Sequence, residues 1–236
     1  MLQIHNVQVY NLTETLIASG NAMRTELIDV ESLQKDFSTV IKEGTVDNLT
    51  NTALMNEYDN GLKRCTKLTQ AGLKGVSCHS NYLTGILVSF DVVYPCYWSP
   101  ESQRYHWFNI VTSSSKMHRL CKMRGEEYFN KYTDKRSIAI LQEKIDKYNS
   151  IEDNTWTVGS PKYIAFMEML SSCPQGLELF EHVTTNYKQL QTIYFQRKNH
   201  KLFEWHNFCK MIEQLPYFKE LILGGEDFTP ITDTDE

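Results

Sequence analysis

The chain has 236 residues, 41% of them hydrophobic and 22% charged, and a net charge of −5. That length forms one large domain or two small ones and buries a sizeable core without covalent staples. The acidic balance excludes a surface that draws in nucleic-acid polymers as a whole, so any anion site has to be a local pocket.

The first residues, MLQIHNVQVYNLTE, lack a basic start and a long apolar stretch, so no signal peptide is expected. No run approaches the ~20 apolar residues of a membrane helix. Residues 3–10 carry Ile4, Val7 and Val9 and read as a first strand. Residues 30–74 show helical spacing, with Leu33, Phe37, Val40 and Ile41, then Leu54, Tyr58, Leu62 and Leu68, closed by Gly72 and Gly75. His79 follows in a Cys-His-Ser-Asn loop; a lone loop histidine is most often a surface residue. Ile86 to Tyr94 is rich in β-branched and aromatic residues and predicts a central strand. Pro95 and Pro100 punctuate what comes next.

Residues 103–118 place Arg104, His106, Lys116 and His118 beside Thr112, Ser113, Ser114 and Ser115. Such a cluster is poorly suited to a core, where each buried polar group needs a partner. It suits a held anion, with charge from Arg and Lys and short hydrogen bonds from hydroxyls. The bland alternative is a solvated turn.

Residues 136–149 form an amphipathic helix with a stripe of Ile138, Leu141, Ile145 and Tyr148. After a polar connection, Pro161 starts a helix carrying Tyr163, Phe166, Met167 and Leu170 at helical spacing, its Phe and Met positions reading as core. Ser171 to Gly176 breaks it. Leu177 to Phe195 predicts the next helix and Leu202 to Leu215 the last. Between them, Gln196-Arg197-Lys198-Asn199-His200-Lys201 is a second basic cluster. Arg197 leaves an apolar segment at its C-terminal end, where the helix dipole alone favours a cation. Together with the first cluster it suggests a phosphate-bearing ligand. The expected organisation is a single domain over 1–224 and an acidic, flexible tail over 225–236.

Six cysteines, Cys65, Cys78, Cys96, Cys121, Cys173 and Cys209, stand at irregular intervals without a Cys-x-x-Cys pair. That argues against zinc or a disulfide framework and for free thiols in a reducing cytoplasm. No Gly-rich phosphate loop, G-x-S-x-G elbow, H-E-x-x-H or paired-carboxylate signature is present. Any chemistry is therefore expected to belong to a bound cofactor.

Two spacings carry a resemblance. Arg104-Tyr105-His106 is followed after seven residues by Ser114, and His79 stands twenty-five residues before Arg104. Pro174 is followed by Asn186 twelve residues on, Arg197 eleven further, then His200 and Trp205. Over residues 66–215 the chain resembles the flavin-dependent thymidylate synthase family, whose signature is Arg-His-Arg, seven residues, then Ser. The resemblance implies an α/β (α+β) fold with a twisted sheet flanked by helices. It implies FAD lined by His79, Tyr105, His106, Asn186 and Lys188, and a pyrimidine deoxynucleotide held by Arg104, Ser114, Lys116 and Arg197. It also implies NADPH and a methylene-folate as co-substrates, a homotetramer with sites shared between chains, a cytoplasmic setting, and no covalent nucleophile, membrane or nucleic-acid polymer.

The chain departs from the family where Tyr105 and His106 replace the middle and last members of Arg-His-Arg, where Thr112 replaces a glutamate and where Leu170 replaces an arginine. Lys116 and Lys188 also stand in for arginines. Losing an arginine removes a charge-assisted, often bidentate contact. The departures imply a divergent member of the kind phage genomes carry. Two functions follow: flavin-dependent one-carbon transfer to C5 of a pyrimidine nucleotide, or a non-catalytic nucleotide-binding protein for sensing or sequestration.

Overall fold

The computed structural model describes residues 2–26 and 52–231, with backbone only at 52–57. Helical spacing predicted over 30–51 lies outside the described residues. Four strands, β1 (Gln3–Tyr10), β2 (Leu87–Pro95), β3 (Asn109–Ser113) and β4 (Glu178–Asn186), make a sheet in the order β1-β2-β4-β3. β3 pairs antiparallel with β4, and the register shifts between Ile110 and Thr112. The predicted first strand and the interior position of the Ile86–Tyr94 strand are both present. The principal helices are α1 (Leu12–Ala18), α2 (Thr52–Leu73), α3 (Lys135–Ser150), α4 (Pro161–Ser171), α5 (Tyr187–Arg197) and α6 (Phe203–Glu213). No helix among the described residues is long and apolar enough to cross a membrane.

One expectation is corrected. Leu177 to Phe195 is not a single helix: residues 178–186 are β4, and α5 begins only at Tyr187. Leu179, Glu181, Val183 and Thr185 are buried, with more exposed residues between them, which is the two-residue period of a strand. Asn186 then ends the strand and starts the helix, its Oδ1 accepting from the Gln189 N–H at 2.9 Å. The starts of α3 and α4 are capped by the same chemistry. Asp134 accepts from the Arg136 N–H at 2.8 Å. Ser160 accepts from the Tyr163 N–H at 3.3 Å, ahead of Pro161 at the first turn.

The chain divides into two compact units, each assembled from three stretches. The first comprises Met1–Val7, Ser89–Thr184 and Leu202–Phe208. On the covered face of its sheet Phe90 meets Phe108 and Phe208 edge-on, and Trp98 meets Phe108, Phe208 and Trp205, the Trp98 and Trp205 ring centroids lying 4.9 Å apart. All four large rings Phe90, Trp98, Trp205 and Phe208 are fully buried. Helices α3 and α4 add their own contact, with Tyr148 against Phe166. Lys144 and Lys147 reach Glu168 at 3.4 and 2.7 Å.

The second unit comprises Gln8–Val88, Thr185–Lys201 and Cys209–Glu236. Its core gathers Leu16 and Ile17 of α1, Cys65 of α2, Leu83, and Tyr187, Leu190 and Ile193 of α5, all within 1% of full burial. Gly61 permits the approach of α2 to α1, since a Cβ there would lie 2.8 Å from the Leu16 carbonyl oxygen. Buried polar groups are tied in: Thr69 Oγ1 donates to the Leu221 carbonyl at 3.1 Å, and the Tyr82 hydroxyl to the Cys65 carbonyl at 3.0 Å. Beyond Gly224, Phe228 stacks edge-on against Phe218 and the Ile231 N–H donates to Glu213 at 3.1 Å.

Candidate functional site

In the first unit the chain leaves β3 at Ser113, passes Ser114 and Ser115, and enters a helical turn at Lys116–Arg119. Ser114 extends the β ladder by one residue. Its N–H donates to the Phe180 carbonyl at 2.8 Å, and its Oγ accepts from the Phe180 N–H at 3.0 Å. The hydroxyl thus takes the place of a backbone carbonyl and keeps its own hydrogen to donate elsewhere. Beside it lies a cleft of about 250 Å³ lined by Ser114, Ser115, Arg119, Glu127, Glu178 and Phe180, among others. The Arg119 guanidinium stacks over the Phe180 ring, 5.2 Å from its centroid, which fixes a planar cation at the rim. The volume falls below the roughly 300–1,000 Å³ of drug-sized ligand sites. It suits one part of a ligand, such as a phosphate and its sugar.

The polar run singled out in the sequence includes Ser114 and stops one residue short of Arg119, which lines the same cleft. Glu127 and Glu178 lie outside that run as well and also line the cleft, which is therefore mixed in charge. Lys116 is half-buried near Cys96 and Cys173, whose thiolates it favours electrostatically. Burial, with Cys96 nearby, nevertheless pushes the Cys173 thiol up to about 11. At neutral pH neither thiol is a ready nucleophile. Arg104 and His106 are exposed on the turn that follows Ser102, and His106 meets Trp107 edge-on. Tyr105 is buried, its ring edge-on to Trp205 at 5.9 Å.

In the second unit His79 is exposed within a 3₁₀ segment, Ser77–Gly85. It lines a cleft of about 450 Å³ with Asn60, Lys63, Arg64 and Lys67 of α2. Residues 63, 64 and 67 share one side of the helix by their spacing, so three cations and an imidazole border one space. Arg64 Nε donates to Ser19 Oγ at 3.0 Å, while its Nη2 is buried without a hydrogen-bond partner among the described residues. Lys188, the second residue of α5, donates to Ser80 Oγ at 2.5 Å and to Gln191 Oε1 at 3.4 Å. Burial lowers its pKa, because desolvation disfavours the charged ammonium. Asn186 is buried and spends its side-chain oxygen on the α5 cap. Arg197 is half-buried as the last residue of α5, and its carbonyl accepts from the His200 N–H at 2.9 Å.

The candidate residues therefore separate into Arg104, Tyr105, His106, Ser114 and Lys116 in the first unit and His79, Asn186, Lys188 and Arg197 in the second. Among the described residues, no group of His, Cys, Asp and Glu is arranged to hold a metal. All six cysteines are free.

Thymidylate synthase X from Helicobacter pylori, solved with FAD and dUMP, superposes with a TM-score of 0.51 over 94% of this chain and 97% of that one, at 12% identity. The fold is that of flavin-dependent thymidylate synthase. The UMP/dUMP methylase PolB from Streptomyces cacaoi, solved with 5-Br dUMP, superposes on the same fold with a TM-score of 0.54 over 95% of this chain and 93% of that one, also at 12% identity. No family model and no curated protein matches the sequence. The thymidylate synthase X fold is thus kept by tertiary packing, with very little of the sequence held in common.

Proposed function

We propose that the protein binds a pyrimidine deoxynucleoside monophosphate together with FAD and transfers a one-carbon unit to C5 of the base. The observation that carries this reading is Ser114, whose ladder-anchored hydroxyl stands at the rim of a phosphate-sized cleft in a fold shared with proteins solved with dUMP or its bromo analogue. Ser114 and Arg119 would hold the phosphate, with Arg104 and Lys116 of the same unit as further cations for the nucleotide; Arg197 is assigned to the nucleotide by the family resemblance alone. A fixed serine and a ring-stacked guanidinium are already oriented, so little side-chain entropy is lost on binding.

The second-unit cleft suits the cofactor. FAD carries a pyrophosphate, and the orphaned Arg64 Nη2 is a donor awaiting an acceptor beside Lys63, Lys67 and His79. These residues, with Lys188 and Asn186 at the start of α5, would hold it. Bound FAD supplies the redox chemistry, with NADPH as reductant and a methylene-folate as carbon donor. The chain's own residues bind and orient, and no covalent nucleophile is assigned. Sites completed by neighbouring copies in a homotetramer complete the proposal, and light scattering should report a particle of about four subunits.

Burial of Tyr105 against Trp205 favours a second reading, in which the nucleotide is bound without flavin chemistry, because that position is turned into the core. One experiment separates the two. The purified protein is titrated with dUMP by calorimetry and with FAD by fluorescence quenching, and NADPH oxidation is then followed with both present. Saturable FAD binding and nucleotide-dependent oxidation support transfer. Nucleotide binding without FAD binding supports the second reading, and loss of both overturns the proposal.

A further inference from the structure

Three neighbouring strands carry a hydrogen-bonded chain that the nucleotide and flavin reading does not use. Ser89 and Asp91 are two residues apart on β2 and so share one face. His182 meets both from β4. Ser89 Oγ lies 2.9 Å from His182 Nε2, and His182 Nδ1 lies 2.7 Å from Asp91 Oδ1. Asn6 of β1 closes the chain, its Nδ2 donating to Asp91 Oδ2 at 2.6 Å. Asn6 adopts φ 54°, a left-handed conformation inside a strand, and such local cost persists where the surroundings enforce it. The hydrogen bonds from Asn6 first, then His182, hold the Asp91 carboxyl below the usual carboxylate range. The result is a hydroxyl, an imidazole and an oriented carboxylate in series, the arrangement by which a serine is made nucleophilic. His182 and Asp91 side chains are 35% and 39% exposed, so a small reagent can reach them.

We propose that Ser89 is an acylatable nucleophile, with His182 as its base and Asp91 as the positioning residue, taking acyl groups from small activated esters. Ser89 Oγ bonds to the ester carbonyl carbon as its proton passes to His182 Nε2. The carbonyl then re-forms, the C–O bond to the leaving group breaks, and the imidazolium returns the proton to the departing oxygen. Water repeats the sequence to release the acid and restore the serine. β2 is an interior strand, so its N–H groups serve the ladder and do not form an oxyanion site. Acyl transfer should accordingly be slow, with the acyl-serine accumulating.

The test uses the full-length protein, with p-nitrophenyl acetate and, separately, a fluorophosphonate as probes. Adducts are located by peptide mass spectrometry. A Ser89 adduct is expected that is absent in Ser89→Ala and forms about ten-fold or more slowly in His182→Gln and in Asp91→Asn. Thermal melts identify the fraction folded, so the rate is read per folded molecule, which a merely structural role of His182 or Asp91 would leave unchanged. Should one variant fail to fold, the other carries the comparison, and selectivity for Ser89 over the remaining serines of the unaltered protein is an independent readout. Absence of a Ser89 adduct, or equal labelling rates in the folded variants, overturns the proposal and leaves a static polar network on a sheet face. FAD and dUMP binding are measured separately, so their failure is distinguishable from failure here.

Discussion

The Tyr94 hydroxyl donates to Oε2 of Glu181 at 2.9 Å on the covered face of the sheet, and Oε1 of the same carboxyl has no hydrogen-bond partner among the described residues. Glu181 is 1% exposed. Burial raises its pKa above the ordinary value of about 4.5, while the Tyr94 hydrogen bond opposes that shift. Because the folded state disfavours the ionised form, the chain loses stability as pH climbs from the ordinary value through the raised one. Glu181→Gln removes that titration. The variant should gain on the parent by about 1–3 kcal/mol between pH 4 and pH 8, the cost of an unsatisfied buried acceptor. Urea midpoints at the two pH values measure this, and parallel pH profiles would sink the assignment.

The nucleotide site gives a second expectation. Arg119→Ala and Arg197→Ala should each weaken dUMP binding by about 1.5–3 kcal/mol, the range for a hydrogen bond to a charged group. Ser114→Ala should weaken it less and also cost a few tenths to about 1 kcal/mol of stability, since the Phe180 N–H loses its acceptor. Calorimetry on folded variants decides, and unchanged affinity in the Arg119 and Ser114 variants would remove the cleft from the nucleotide site.

For the flavin, His79→Ala and Lys63→Ala should each reduce FAD occupancy without lowering the melting temperature, because both side chains are exposed. Arg64→Ala should do so while also releasing Ser19. Fluorescence quenching on titration with FAD reads the effect. No saturation by roughly 100 μM in the unaltered protein, far weaker than the ~−8 kcal/mol of a micromolar site, would contradict the cofactor assignment.

Trp205 offers a test of packing. It is fully buried, stacks against Trp98, Tyr105 and Phe208, and donates Nε1–H to Glu101 at 2.8 Å. Trp205→Ala should cost about 3–5 kcal/mol, the range for removing a large aromatic from a core. Denaturant unfolding provides the number, and a loss under ~1 kcal/mol would mean that the surrounding rings close the gap.

Much of the architecture was legible in the order of residues. The β-branched run Ile86–Tyr94 marked an interior strand, and Pro161 and the stripe from Ile138 to Tyr148 marked α4 and α3. β4 escaped because two of its inward positions, Glu181 and Thr185, are polar. The alternation that would have shown a strand was therefore broken in hydropathy though intact in burial. Its boundary was nevertheless written in Asn186-x-x-Gln189, a helix-start pattern. Ser114 stood out in the sequence by its spacing to Arg104. Arg119 and the basic side of α2 did not, because what distinguishes them is the empty space they border, and volume leaves no mark in sequence. The Ser89, Asp91 and His182 series was equally hidden, being a property of strand pairing.

Each compact unit is stitched from three separated stretches of chain, interleaved with those of the other. No single truncation can therefore release either one, and limited proteolysis should yield nicked material in preference to an autonomous fragment. Contacts that join distant parts of a chain also slow its folding. Residues 202–208, which bring Trp205 and Phe208 to the aromatic core begun at Phe90, follow that strand by more than a hundred residues. The first unit stays open at its centre until that late stretch has joined it.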